Sequence, residues 1–278
     1  MNNSFIIGDA GGNATQWRVV VSGEISQYET IGFNAYTHNL NDLKTSIEQT
    51  LGPETLNLPT FLYAAGIGTQ EQKEVVTSSL SDLFTGILSV ENDLVGVARG
   101  LCGREEGNAC ILGTGSNACY YDGVEVSTVS ASLGYVLGDE GSGADLGKRL
   151  LAKVFRGQFK KELLEAFDAS FHLTSHEVIK RIYYQERPNH FLSSFAPFVR
   201  EYINDPEIYA LVKESFECFF EAFFKNAAHL EAPFSFSGSI AWYFGDILRA
   251  VASEKGLYVK NVVQSPIAGL VLYHGEME

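Results

Sequence analysis

Three glycine-rich turns, each preceded by an apolar run, constrain this chain more than any other feature. They are Gly8-Asp9-Ala10-Gly11-Gly12-Asn13-Ala14-Thr15 after Ile6-Ile7, Gly113-Thr114-Gly115-Ser116-Asn117 after Cys110-Ile111-Leu112, and Gly238-Ser239-Ile240-Ala241 after Phe234-Ser235-Phe236-Ser237. Turn amides at a strand end carry partial positive charge and hold phosphate well. Glycine serves where the backbone takes positive φ or approaches a ligand closely. Three such turns, together with Asn92-Asp93 and Gly138-Asp139-Glu140-Gly141, point to several amide clusters aimed at one polyanion.

The order of elements separates the chain from a dinucleotide-binding fold. Residues 4–8 read as a buried strand, Thr15–Ser22 as a second, and Ile25–Thr30, after Gly23-Glu24, as a third. This strand–turn–strand opening is not the strand–turn–helix of a dinucleotide site. Asn41–Leu51 carries Leu43, Ile47 and Leu51 at helical spacing. Thr60–Ala65 predicts a buried strand, Gln70–Phe84 a helix, Gly86–Val90 a short strand running to Asn92-Asp93, and Leu94–Leu101 a helix. The pattern then restarts: Ala109–Leu112, the second glycine turn, Ala118–Tyr121, the hairpin signal Asp122-Gly123, and Val124–Val129. Two halves that each open strand, turn, strand read as an internal architectural repeat. Residues 145–229 are mostly helical in pattern. Ser235–Phe236 then predicts a strand, Ala241–Lys255 a helix, Tyr258–Val263 a strand and Pro266–Tyr273 a last helix. The polar, glycine-flanked run at 102–107 predicts a domain boundary.

Net charge is −14 over 278 residues. That argues against general affinity for nucleic acid or acidic membranes, which need a basic footprint. It leaves room for a nucleotide held by turn amides and a metal ion. The amino terminus lacks the pattern of a signal peptide, and no run reaches the roughly 18–20 apolar residues of a membrane span. Cys102, Cys110, Cys119 and Cys218 form no CxxC pair, and Cys110 and Cys119, in strand-like segments, read as reduced core thiols. The expectation is a cytoplasmic protein with no nucleic-acid or membrane partner. His172 and His176, four apart in a helical stretch, could share a face, but nothing supplies a third ligand. Phe216, Phe219, Phe220, Phe223 and Phe224 have helical spacing and read as core.

The run Asn92-Asp93, Gly113-Thr114-Gly115-Ser116-Asn117, Gly134 and Gly138-Asp139-Glu140-Gly141-Ser142-Gly143 resembles the N-acetylglucosamine kinase and BadF/BadG-type ATPase family. That family belongs to the actin-like, sugar kinase and heat-shock-70 ATPase superfamily. The resemblance extends to the Gly238 turn and to Ser265-Pro266-Ile267-Ala268-Gly269-Leu270, similar to the closing segment of short bacterial members. It implies an α/β fold of two ribonuclease H-like domains of related topology, with a nucleotide cleft between them. The expected boundaries are 1–105, with the first phosphate turn, a sugar loop and the catalytic aspartate, and 106–278, with the second phosphate turn and an adenosine turn. The last helix is expected to pack back on the first domain.

The resemblance implies an ATP-dependent kinase that phosphorylates an amino sugar, N-acetylglucosamine or glucosamine in type, at a hydroxyl taken to be O6. Phosphoryl transfer needs a group to orient and deprotonate the attacking hydroxyl. Asp93, at a strand end before a helix, is implied as that base; the bland alternative is a helix cap. Asp9 is implied near the Mg²⁺ of the metal–nucleotide complex, through water. Asn34, Thr114, Gly115 and Asp139 match sugar contacts, against the alternatives of a turn asparagine and a carboxylate bonding its own loop. Gly11, Gly12, Asn13, Thr15, Ser116, Asn117, Gly238 and Ser239, with Asp9, are implied to line the ATP site. A homodimer is a candidate assembly.

The chain also departs from the family. Asn13 and Ala14 stand where threonine and lysine are usual, Ala35 where proline is common after Asn34, and Ser132 where better-known members have glycine near the sugar. The loss of the lysine motivates a second reading, a sugar- or nucleotide-binding sensor without turnover. A third, an activator ATPase with an iron–sulfur cluster, lacks suitably placed cysteines.

Overall fold

The computed structural model describes residues 4–36 and 38–276. Its described residues fall into two compact units, one drawn from Met1–Glu106, Tyr121–Val126 and Ser265–Glu278, the other from Gly107–Tyr120 and Ser127–Gln264.

The first unit opens with β1 (Phe5–Ala10), β2 (Ala14–Val21) and β3 (Glu24–Ile31), an antiparallel meander. Then come α1 (Leu40–Thr50), β4 (Thr60–Ala64), α2 (Gln70–Leu80), β5 (Leu88–Asn92) and α3 (Asp93–Cys102). β4 runs parallel to β1 and β5 parallel to β4, giving the order β3-β2-β1-β4-β5. Parallel neighbours require crossovers, and α2 supplies the one between β4 and β5. Trp17 is fully buried among Ile6, Leu43, Ile47, Leu62 and Val76 on one sheet face, and its indole N–H donates to Thr30 Oγ1 at 2.9 Å. Gly8 is required beneath it, since a Cβ there would lie 2.5 Å from the Trp17 ring. On the other face Phe5, Ile7, Val20 and Tyr63 pack with Ile267 and Leu270.

The second unit repeats this plan. β6 (Gly107–Leu112), β7 (Ser116–Tyr121) and β8 (Val126–Thr128) are followed by α4 (Gly134–Leu137), α5 (Gly143–Phe155), α6 (Lys161–Phe171), α7 (Ser175–Tyr184), α8 (Pro188–Ser193), α9 (Ala196–Glu201) and α10 (Pro206–Phe224). β9 (Phe234–Ser237), α11 (Ser239–Tyr243), α12 (Gly245–Glu254) and β10 (Val259–Val263) follow, before α13 (Ile267–Gly275). β9 is parallel to β6 and β10 to β9, in the order β10-β9-β6-β7-β8. Read from β8, this order matches that of the first sheet read from β3. The internal repeat expected from the turns is therefore a repeat of sheet topology, and the two mixed sheets fit the expected actin-like ATPase class. Phe216, Phe219, Phe220, Phe223 and Phe224 of α10 are all buried, as their spacing implied.

Four local expectations are corrected. The helix from Gln70 ends at Leu80, not Phe84, because Leu83 and Phe84 both turn back to the Leu80 carbonyl. The helix expected over 241–255 is α11 and α12, separated where Phe244 leaves helical geometry (φ −113°, ψ 26°) with its ring buried. The strand expected over 124–129 is only Val126–Thr128, since Val124 and Glu125 donate their amides to Asp122 Oδ1 in the turn. His172 and His176 do not share a helix: His172 ends α6 at φ 47° and His176 lies in α7.

Candidate active site

In the first unit the parallel strands bring the predicted residues to one edge. Ala10, Ala64 and Asn92 are in register across β1, β4 and β5, so Asp9 and Asp93 both lie at carboxyl ends. Asn34 makes a parallel bridge to Ala65 just beyond β4. Ligands of open α/β sheets bind at such carboxyl ends.

Asp93 is the first residue of α3, but the helix cap is its neighbour. Asn92 Oδ1 accepts from Leu94 N at 2.8 Å, and Asn92 Nδ2 donates to Ile67 O at 2.6 Å. Asp93 Oδ1 also accepts from Leu94 N, at 3.0 Å. Burial pushes the Asp93 carboxyl up to about 6, against the Leu94 amide, which lowers it. Asp9 is likewise pushed up to about 6, first by burial and further by the Asp93 charge; the Ser265 hydroxyl, donating to Oδ2 at 3.1 Å, and Arg18 act in the opposite sense. Two half-buried carboxyls, Asp93 raising the proton affinity of Asp9, form a place where a cation is welcome. Among the described residues no group of three or more His, Cys, Asp or Glu could hold a metal alone. A nucleotide-bound Mg²⁺ needs only one or two carboxylates with waters, which Asp9 fits.

The first turn is pinned to the sheet. Gly11 N donates to Ala14 O at 3.1 Å, and Gly11 O accepts from Phe33 N at 2.9 Å. Gly12 and Asn13 form the tip, and a Cβ on Gly32 would lie 2.5 Å from Gly12 O. Thr15 is fully buried and donates its hydroxyl to Ile31 O at 2.8 Å, so its side chain supports the turn from behind. Asn34 Oδ1 accepts from Tyr36 N at 2.9 Å, which leaves its amide N–H groups to offer a ligand. Gly66 (φ 81°) makes room for it: a Cβ would lie 2.5 Å from Asn34 Oδ1.

In the second unit the edge is again the carboxyl end of parallel strands, where Ile111, Ser237 and Val263 are in register. Gly113 N donates to Gly115 O at 3.0 Å, and the start of α5 clamps the turn: Gly143 N donates to Gly113 O at 2.8 Å and Ala144 N to Thr114 O at 3.1 Å. Asp139 is buried and bonds the turn, not its own loop: its Oδ1 accepts from Ser116 N at 3.2 Å. Gly115 is needed there, as a Cβ would lie 3.0 Å from the Asp139 carboxylate. Burial raises the Asp139 carboxyl above the usual range, with the Ser116 amide and Lys148 opposing. Ser116 Oγ is buried without a hydrogen-bond partner. Asn117 Oδ1 accepts from Ala118 N at 2.9 Å. Gly238 (φ 118°) donates its N–H to Val263 O at 3.1 Å and lies so near Leu112 O that a Cβ would stand 2.3 Å away, while Ser239 is exposed at the start of α11.

Two residues beside Asp9 are not among those singled out in the sequence. Ser265 was within reach, as the first residue of the family-like closing segment Ser265-Pro266-Ile267-Ala268-Gly269-Leu270. Arg18 was not, because its bearing on Asp9 depends on hairpin register: Gln16 pairs with Asp9 and Arg18 with Ile7, which puts residues 14, 16 and 18 on the face of Asp9. Ala14 shares that face. Ala14→Lys is therefore expected to lower the KM for Mg-ATP roughly three- to tenfold, about 1 kcal/mol of added attraction. An unchanged KM in steady-state assays would mean that Arg18 already supplies the cation.

No protein-family model matches the chain. A crystal structure from Porphyromonas gingivalis, of a protein provisionally named N-acetylglucosamine kinase, is 34% identical with a TM-score of 0.92, covering 99% of this chain and 100% of that one. A curated N-acetylmuramic acid/N-acetylglucosamine kinase of Clostridium acetobutylicum is 35% identical over 126 residues, 43% of this chain and 41% of that protein, so the match spans under half of that relative. A ROK family glucokinase from Streptomyces griseus, solved with glucose and AMPPNP, is 14% identical with a TM-score of 0.55, covers 98% of both chains, and shows likeness of fold.

Proposed function

We propose that this chain, which belongs to the N-acetylglucosamine kinase family of sugar kinases, transfers the γ-phosphate of ATP to an amino sugar of the N-acetylglucosamine or glucosamine type, at O6. The observation that carries this reading is Asp93. It stands at a strand end, beside Asp9 and a pinned glycine turn, with a carboxyl that burial pushes up to about 6. A base of that strength is ionised at neutral pH yet holds a proton better than an ordinary aspartate. Asp93 takes the hydroxyl proton as the sugar oxygen attacks the γ-phosphorus, and ADP leaves. Amides of Gly12 and Asn13, at the tip of the turn that Gly11 closes onto Ala14 O, hold phosphate, and amides of the Gly113 and Gly238 turns serve the nucleotide. Asn34 donates to sugar hydroxyls; Asp139 and the Thr114-Gly115 turn accept from and shape around the sugar. Mg²⁺, held through water by Asp9, would screen the phosphate charge. The same reading takes 1–105 and 106–278 as two ATPase-type domains and places the enzyme in the cytoplasm; among the described residues no helix is long and apolar enough to cross a membrane.

A coupled ADP-release screen over hexoses, hexosamines and N-acetylhexosamines with Mg-ATP tests the assignment. One amino sugar should stimulate release, and a rate that no sugar stimulates would overturn it. Binding linkage also predicts a higher Tm with Mg-ATP, by about 2.7 kcal/mol of added stability at a hundred times Kd. A melting curve unmoved by ATP, ADP and a non-hydrolysable analogue would remove the nucleotide site.

The acid limb of kcat/KM should fall near pH 6, not near 4, because the proton must leave Asp93 before it can act. A limb centred below pH 5, measured with a neutral sugar, would contradict the buried-base assignment.

A further inference from the structure

Behind the Gly138–Ser142 loop lies a buried polar cluster that neither ATP nor sugar is proposed to touch. Asp145, in the first turn of α5, is 5% exposed. Its Oδ2 accepts from Ser215 Oγ of α10 at 2.7 Å, from Arg149 Nε at 2.8 Å, and from Gly141 N at 3.4 Å. Arg149 in turn pairs with Glu214 of α10 at 2.9 Å. A carboxylate this buried is costly unless its lone pairs are matched, and here one oxygen gathers three donors. One of the three is a backbone amide of the loop that carries Asp139.

That loop is conformationally demanding. Asp139 adopts φ 61° and Gly141 φ 77°. A non-glycine residue in the left-handed region persists only where its surroundings hold it. Gly141 is pressed onto α10, since a Cβ there would lie 2.9 Å from Phe219 Cβ. Lys148 Nζ fixes the start of the loop by donating to Gly138 O at 3.1 Å and to Tyr135 O at 2.8 Å. Asp145 fixes its end.

We infer that Asp145, braced by Ser215 and Arg149, is a positioning residue that holds the 138–142 loop so that Asp139 meets the sugar. This rests on the proposed role of Asp139. The effect should fall on the sugar and not on the nucleotide. In Asp145→Asn the amide oxygen can take the Oδ2 position, but a neutral acceptor replaces the carboxylate that pairs with Arg149, and the loop loses its charged anchor. Sugar KM and calorimetric sugar Kd should rise about tenfold or more, with the KM for Mg-ATP within about twofold. Ser215→Ala removes one bond with little change in packing and should give a smaller rise of the same kind, which keeps the test open if Asp145→Asn folds poorly.

The decisive arm is the double variant. If Asp145 acts through Asp139, adding Asp145→Asn to Asp139→Asn should raise sugar KM no further, because the second change removes a support whose load is already gone. Fully additive effects, or single variants that lower Tm and leave sugar KM and Kd unchanged, would overturn the assignment. An Asp139→Asn protein with wild-type sugar KM, or a wild-type protein that binds no sugar, would instead overturn the proposed sugar site and this inference with it.

Discussion

Asp93→Asn should lower kcat by about 10²–10⁴-fold at saturating sugar, the range expected when a general base is lost. Asparagine keeps the size of the side chain and can still accept from Leu94 N, as Asp93 Oδ1 does at 3.0 Å. The helix cap is untouched, because Asn92 provides it. Sugar and ATP affinity should therefore survive, and the loss should appear in kcat with little change in KM. A second readout has the opposite sign. A folded carboxyl near 6 against an unfolded value of 3.8 means that the folded state binds the extra proton between those values. Stability from this group is thus greatest at low pH and falls as pH rises through about 6. Removing the charge should raise the Tm at pH 7.5 and leave it nearly unchanged at pH 4. A variant with near-wild-type kcat, or one that melts lower at pH 7.5, would contradict the placement of a destabilised, ionised base at position 93.

The features legible in the sequence were those with a local cause. Glycine turns after apolar runs, the Asp122-Gly123 hairpin and the phenylalanine face of α10 each follow from a few adjacent residues. The strand–turn–strand order was enough to separate this fold from a dinucleotide-binding one. Where one helix ends and the next begins was less legible, because tertiary burial decides it: Phe244 leaves helical geometry with its ring in the core. His172 shows the same limit, since a left-handed residue ends α6 without a glycine to announce it.

The candidate site divides in the same way. Asp9 and Asp139 could be picked out because they stand in glycine-rich motifs, and Asp93 because it ends a strand before a helix and matches the family resemblance. What tunes them could not. Arg18 bears on Asp9 through hairpin register, and Ser265 reaches it from 256 positions away. Asp145 falls just past the Gly138-Asp139-Glu140-Gly141 motif, yet its importance depends on Ser215, 70 positions on. Long-range partners leave no local pattern, so the residues that set a carboxyl's proton affinity or hold a loop are the ones a single sequence hides.

Gly269→Ala should be the most damaging methyl group that can be added to the first unit. α13 crosses α3 so closely that a Cβ on Gly269 would lie 1.8 Å from Gly100 O and 2.7 Å from Gly100 C. Both are backbone atoms of a helix and cannot swing aside as a side chain would. Gly100 is matched in turn, its own Cβ position being 2.7 Å from Pro266 O, and one turn earlier Gly96 would meet the Tyr63 ring at 2.7 Å. The helices must therefore separate. That separation strains the 2.7 Å contact of Tyr63 Oη with His274 Nε2, and the 3.1 Å bond from Ser265, just before α13, to Asp9. Overpacking of this kind costs about 1–3 kcal/mol or more. A 3 kcal/mol loss corresponds to a fall in Tm of roughly 6–12 °C. Because α3 begins with Asp93 and α13 follows Ser265, sugar-dependent turnover should fall along with stability. Gly275→Ala, near the end of the same helix, is the control: its Cβ meets no described atom within 4 Å, so the Tm should stay within about 2 °C. Equal melting temperatures for Gly269→Ala and Gly275→Ala would show that α13 does not seat on α3 through these glycines.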